Sequence, residues 1–183
     1  FVVFGKISTT SIELSNVENG TGGFIINGVT DNDLSGSAVS GGGDINGDGL
    51  TDLIVGAQFD DPNGSNSGTS FVIFGKTSGT AVELSDIEAG TGGFIMNGVT
   101  DADQAGYSVS HAGDINGDGL DDVLVSAVFQ DPNGSSSGAT YLVFGKSDTT
   151  SIELSNISAG SGGFVINGVT AYDQSGKSVS NAG

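Results

Sequence analysis

An all-β chain assembled from tandem copies of one unit is what this sequence predicts, on three observations: its glycine content, the fixed spacing of its landmarks, and apolar runs of strand length set between turn residues. The 183 residues include 33 Gly and only 2 Pro. So much backbone freedom suits tight turns between short strands and works against long helices. The length allows one domain with a substantial core.

The spacing is constant. Phe4-Gly5-Lys6 returns as Phe74-Gly75-Lys76 and Phe144-Gly145-Lys146, each time 70 residues on. Gly22-Gly23-Phe24 keeps the same step to Gly92-Gly93-Phe94 and Gly162-Gly163-Phe164. Such a period marks a repeat architecture. The chain divides into a partial unit at 1–35, complete units at 36–105 and 106–175, and the start of another at 176–183. A start at Phe1 and a stop at Gly183, both within a unit, suggest a segment of a longer array.

Four strands are expected per unit. In the middle of the chain they are Phe94 to Gly98, Gly106 to Ala112, Asp122 to Val128 and Thr140 to Gly145. The runs Asp52-Leu53-Ile54-Val55-Gly56-Ala57 and Asp122-Val123-Leu124-Val125-Ser126-Ala127 do not alternate, as suits a strand packed on both faces. A β-propeller provides that setting, each unit being a four-stranded blade sandwiched between neighbours. Two and a half blades fall short of the roughly four to eight that close a ring, so exposed blade faces and association, or instability in isolation, are expected. Asp61-Pro62-Asn63-Gly64 and Asp131-Pro132-Asn133-Gly134 read as exposed tight turns. The connectors Ser11–Gly20, Ala81–Gly90 and Ser151–Gly160 have room for one helical turn; Ser85 and Glu88 have capping-box spacing, whereas the third copy carries Ser158.

Charge narrows function. Four Lys plus Arg against 22 Asp plus Glu give a net −18, which repels nucleic acid and anionic membranes. There is no cysteine for disulfide or thiolate chemistry. No apolar run approaches the roughly 20 residues of a membrane span, and no signal peptide stands at the start.

Many of the acids sit in two copies of one loop, Asp44-Ile45-Asn46-Gly47-Asp48-Gly49-Leu50-Thr51-Asp52 and Asp114-Ile115-Asn116-Gly117-Asp118-Gly119-Leu120-Asp121-Asp122. Oxygen-bearing side chains fall at positions one, three, five and nine: Asp44, Asn46, Asp48 and Asp52, then Asp114, Asn116, Asp118 and Asp122. Glycine at position six allows a sharp turn, and the carbonyls of Leu50 and Leu120 can add a backbone oxygen. An all-oxygen set suits a hard cation, with Ca2+ favoured over magnesium, and zinc and copper poor candidates. An EF-hand needs glutamate at position twelve, where Val55 and Val125 stand. The competing reading, ordinary Asx turns, leaves three mutually repelling carboxylates per loop without a counter-ion.

These residues resemble the FG-GAP repeats of integrin α-subunit propellers and bacterial surface proteins. Phe74-Gly75 matches the first signature element, Gly56-Ala57-Gln58 comes near the Gly-Ala-Pro element, and Ser126-Ala127-Val128 departs further from it. The resemblance implies a seven-bladed propeller with calcium on one face; in integrins partners bind the opposite face, a surface that depends on loops particular to each protein and does not transfer, and Phe59, Phe129 and Tyr172 are the few aromatic candidates on that side here.

An enzyme is not expected. His111 is the single histidine, with Gly41 and Asn181 in its place in the other copies. Gly134-Ser135-Ser136-Ser137-Gly138 matches a nucleophile elbow on paper, but no helix follows it. Sequons at Asn19, Asn63, Asn133 and Asn156 arise in glycine-rich turns without implying function. The expected role is a calcium-binding module, extracellular or at the cell surface, for cell adhesion or recognition of protein or surface glycan ligands. The alternatives are a calcium-stabilised spacer in a large secreted protein, and an accessory propeller beside an enzyme domain.

Overall fold

The computed structural model describes residues 1–181; Ala182 and Gly183, the last two of the 176–183 segment, lie outside the described residues. The partial first unit supplies β1 (Val2–Val3), helical turn α1 (Leu14–Glu18), β2 (Gly23–Phe24) and β3 (Ile26–Asn27). The second supplies β4 (Ala38–Gly43), β5 (Asp52–Ala57), β6 (Thr69–Ile73), β7 (Val82–Glu83), α2 (Leu84–Glu88) and β8 (Gly93–Asn97). The third repeats it with β9 (Ala105–Gly113), β10 (Asp122–Ala127), β11 (Ala139–Val143), β12 (Ile152–Glu153), α3 (Leu154–Ser158) and β13 (Gly163–Asn167).

In each complete unit four consecutive long strands form an antiparallel meander. The second sheet runs β4-β5-β6-β8, with Val55 opposite Val39 on one side and Phe71 on the other. The third runs β9-β10-β11-β13 with the equivalent pairings of Val125 to Val109 and Tyr141. The first unit contributes the outer pair, Val2 facing Phe24. The sheets form a propeller arc and do not close a ring.

Stacking explains the non-alternating runs. Five of the six residues in each of β5 and β10 are buried, as is every residue of β6 and β11, because both faces of these central strands meet another element. Ile54, Val72 and Met96 of the second sheet pack with Val109, Val125 and Tyr141 of the third and with Leu154 of α3. On its other face, Val55, Phe71 and Ile73 pack with Leu84, Ile87 and Ile26. At Gly56 the sheets approach so closely that a Cβ would collide with the carbonyl oxygen of Gly106 in the next unit.

Strand ends shift by a residue from the sequence expectation in each strand, and by two at one place. The run expected to reach Gly145 ends at Val143, since the N–H of Phe144 bonds the Gly162 carbonyl and that of Gly145 bonds Asp122. The connectors do hold one helical turn each, but the Ser85–Glu88 capping box does not form. Glu83 occupies the N-cap in extended conformation, which places Ser85 inside the helix. The same holds at Glu13 and Glu153.

Candidate metal centre

The two acidic loops join β4 to β5 and β9 to β10, at one end of the sheets. Their fold follows from short polar side chains satisfying backbone N–H groups, as Asp and Asn do in turns. Asp44 Oδ1 accepts from Gly47 N (2.9 Å) and Oδ2 from Gly49 N (3.0 Å). Asn46 Oδ1 accepts from Asp48 N (2.8 Å), and its amide donates to Asp48 Oδ2 (2.9 Å). Asp48 Oδ1 in turn accepts from Leu50 N (2.8 Å). Gly49, at position six, has φ +85°, where a side chain would be strained.

The second loop repeats this. Asp114 accepts from Gly117 N (2.7 Å) and Gly119 N (2.9 Å), Asn116 Nδ2 donates to Asp118 Oδ2 (2.8 Å), and Leu120 N donates to Asp118 Oδ1 (2.9 Å). Position nine differs in kind from the rest. Asp52 and Asp122 are fully buried. Asp52 Oδ2 accepts from Ile45 N (2.8 Å) and Oδ1 from Gly75 N (2.7 Å); Asp122 does the same with Ile115 N and Gly145 N, both at 2.9 Å. The position-nine carboxylate thus ties the loop to the Phe-Gly turn beyond the central strand.

Electrostatics at that carboxylate are unfavourable. Burial pushes Asp52 above the usual carboxylate range; hydrogen bonds from the backbone of Gly75 and Ile45 pull it down, and nearby Asp48 adds to the rise. Asp122 is raised for the same reasons, with Asp118 in the role of Asp48. Among the described residues the one salt bridge joins Lys146 to Asp148, so neither buried carboxylate has a basic partner at ion-pair distance.

The structure therefore brings Asn46 to Asp48 and Asn116 to Asp118, sets Asp44 and Asp114 over the same loops, and holds Asp52 and Asp122 at the base. Leu50 and Leu120 flank the lip. Among the described residues no group of three or more Asp, Glu, His or Cys side chains is gathered as metal ligands are. The physical reason is that the carboxylates are turned onto backbone N–H groups, those of their own loop and, at position nine, also that of the Phe-Gly turn. The donor set nonetheless fits a hard cation. Each of these carboxylate oxygens has two lone pairs, and most accept a single hydrogen bond.

A link between the loops was not anticipated. Asp121, at position eight of the second loop, accepts from Asp44 N (2.7 Å), while its own N–H donates to the Asp44 carbonyl (3.1 Å). In the first loop this position is Thr51, and the contrast between copies is the only sequence signal.

At the opposite end, Phe59 and Phe129 are half-buried, and Tyr172 is 75% exposed. Phe129 packs edge-on against Tyr107 and, with Asp101, Asp103 and Asp131, lines a cleft of about 410 Å³. His111 lies half-buried in β9, its Nε2 3.2 Å from Asn181 Nδ2. Ser137 is fully buried and accepts from Asn133 N (3.1 Å), so its hydroxyl is a turn support. Among the described residues no helix is long and apolar enough to cross a membrane.

Comparison with known proteins agrees with this geometry. No curated protein matches the chain. The FG-GAP repeat model matches residues 35–73 and 105–143, in each case the three inner strands together with the acidic loop. The two matches fall at the same place in successive units, and the remaining strand of each unit completes the same sheet; residues 35–73 and 105–143 are each an FG-GAP repeat.

Proposed function

We propose that this propeller segment is a calcium-binding extracellular module for adhesion or protein recognition, and not an enzyme. The observation that carries the reading is the duplicated loop whose buried aspartate, Asp52 or Asp122, has no cationic partner. Calcium would be held by Asp44, Asn46, Asp48, the Leu50 carbonyl and Asp52, and by Asp114, Asn116, Asp118, the Leu120 carbonyl and Asp122. It would offset the burial, and the smaller repulsion from Asp48 and Asp118, that lift Asp52 and Asp122, and so lock the loop onto the central strand. At the weak affinity of extracellular calcium modules, millimolar calcium adds on the order of 1 kcal/mol per site. Partners of this class, proteins or surface glycans, would meet the end that carries Phe59, Phe129 and Tyr172.

A second reading, a calcium-stabilised spacer in a large secreted protein, is favoured by one observation. Of those three aromatics only Tyr172 is strongly exposed. Calorimetric titration with calcium, paired with thermal melts in calcium and in chelator, tests the shared part. Two bound ions and a higher melting temperature are expected. A folded chain that binds none would reduce the loops to acidic turns.

A further inference from the structure

Where the second and third units meet, the two acidic loops are in direct contact. Asp121 accepts from Asp44 N (2.7 Å) and donates its own N–H to the Asp44 carbonyl (3.1 Å), so the backbone at position one of the first loop is held on both sides. Glycine before it leaves room for this, because a Cβ at Gly43 would collide with the Asp121 carboxylate. Further along the first loop, Ile45 is fully buried in the core that includes Val123 and Val143 of the third unit. Gly47 lies against Leu120, whose Cδ2 a Cβ there would meet at 2.9 Å. A Cβ on Gly145, in the Phe-Gly turn bonded to Asp122, would come within 2.9 Å of the Ile45 carbonyl oxygen.

These contacts run a continuous line of bonds between the two sets of candidate ligands. The Leu120 carbonyl, a candidate ligand of the second loop, shares one planar peptide with the Asp121 N–H. That N–H bonds the Asp44 carbonyl, which shares the next planar peptide with the Ile45 N–H, and this in turn donates to Asp52 Oδ2 (2.8 Å), a candidate ligand of the first loop. Two peptides and two hydrogen bonds thus span the joint. The Asp121 carboxylate, bonded to Asp44 N, fixes their register.

We propose that this relay couples the two loops, so that calcium held by either one favours binding by the other. The inference rests on the calcium reading of the loops and adds their regulation. A ligand set fixed at one end of the relay orders the peptides that the other set shares, so less ordering remains to oppose the second binding step. Polarisation along the relay acts in the opposite sense, because both ends would draw electron density outward, but it changes each bond by only about 10–30%. Repulsion between like charges in neighbouring loops is offset by the Asp121 carboxylate at the joint, and by salt. Linkage makes the factor the same in both directions, and about fivefold is expected, at the low end of couplings between sites.

Calcium titration of the full chain by calorimetry tests this, with Asp118→Asn and Asp48→Asn as variants that keep one working loop each. In the parent chain, each loop is expected to bind about fivefold more tightly once the other is filled than it does in the single-loop variant. Asp121→Ala leaves the relay held by the 3.1 Å bond alone, and measured with the same pair of loop variants it is expected to bring that factor below about twofold. Melts in chelator check that each variant is folded. A parent curve equal to the sum of the two single-loop curves overturns the proposal and leaves the calcium reading standing, and so does a factor unchanged by Asp121→Ala. Should Asp121→Ala fail to fold, the comparison of the parent with the single-loop variants still decides. A folded parent chain that binds no calcium removes both readings.

Discussion

Asp52→Asn separates two roles that one carboxylate combines. Asp52 is fully buried, and its two oxygens accept one N–H each, from Ile45 at 2.8 Å and Gly75 at 2.7 Å. Asparagine can keep one of these bonds; its NH2 must then face the other N–H. A hydrogen bond to a charged group is worth about 1.5–3 kcal/mol, and a buried donor left without an acceptor costs about 1–3 kcal/mol. Relief of the desolvation that raises Asp52 offsets part of this. The net expectation is a loss of about 2–4 kcal/mol, or roughly 4–16 °C in melting temperature for a chain of this size.

The comparison is Asp48→Asn. Asp48 is exposed at the lip and its partners are Leu50 N and Asn46 Nδ2, so in chelator its loss costs under about 1 kcal/mol. Denaturation of both variants by urea, in chelator and in millimolar calcium, gives four midpoints. Asp52→Asn should fall in chelator as well as in calcium, whereas Asp48→Asn should lose mainly the shift that calcium confers. Equal and small losses in chelator would refute the claim that Asp52 ties the loop to the Phe-Gly turn irrespective of any ion.

Two further outcomes follow from the same geometry. Asp121→Ala removes the acceptor for Asp44 N, so with the second loop silenced by Asp118→Asn the first loop should bind calcium roughly 5- to 10-fold more weakly, as the loss of about 1 kcal/mol of loop support implies; calorimetry reads this, and an unchanged affinity would leave the loops independent. Burial lifts Asp103 above its ordinary 3.8, with Asp131 and Asp101 adding to the rise. Its folded-state value is raised, so the stability it confers is fully present below 3.8 and is lost as pH rises through the folded value. Asp103→Asn can retain both bonds from Thr100, and melts in chelator should show it more stable than the parent near neutrality, with the difference vanishing in acid; a constant difference across pH would contradict the assignment.

The units, the strands and the acidic loops were legible because each is written in a short window. A run such as Asp52 to Ala57 declares its burial through six neighbours, and the loop declares its turn through Gly49. The side-chain contact between successive units was not legible because Glu153 meets Asn97 and Asn63 at separations of 56 and 90 residues, and each is an ordinary polar residue in its own surroundings. The capping-box reading of Ser85 and Glu88 failed for a related reason. Glu83 takes the N-cap through its backbone while its side chain serves the preceding unit, and local spacing cannot report a side chain committed elsewhere.

Differences between the two complete units also become intelligible only as sets. Tyr141 stands where the other copy has Phe71, and its hydroxyl donates to Gln130 Oε1 (2.7 Å), with Ser158 Oγ at 3.5 Å. The positions that match Gln130 and Ser158 hold Asp60 and Glu88. There is no hydroxyl to satisfy there, and Glu88 is raised by burial and then by the charges of Asp60 and Asp33. A buried hydroxyl needs partners, so Tyr141 and Gln130 belong together, while a phenyl ring leaves its neighbours to water and allows acids in their place. Three substitutions 70 residues from their counterparts are therefore one structural change, made at the end of the blade away from the acidic loops. That end diverges between units as a matched set, ring and neighbours together. The loop end repeats itself around Asp52 and Asp122, each of which accepts one N–H from its own loop and one from the Phe-Gly turn.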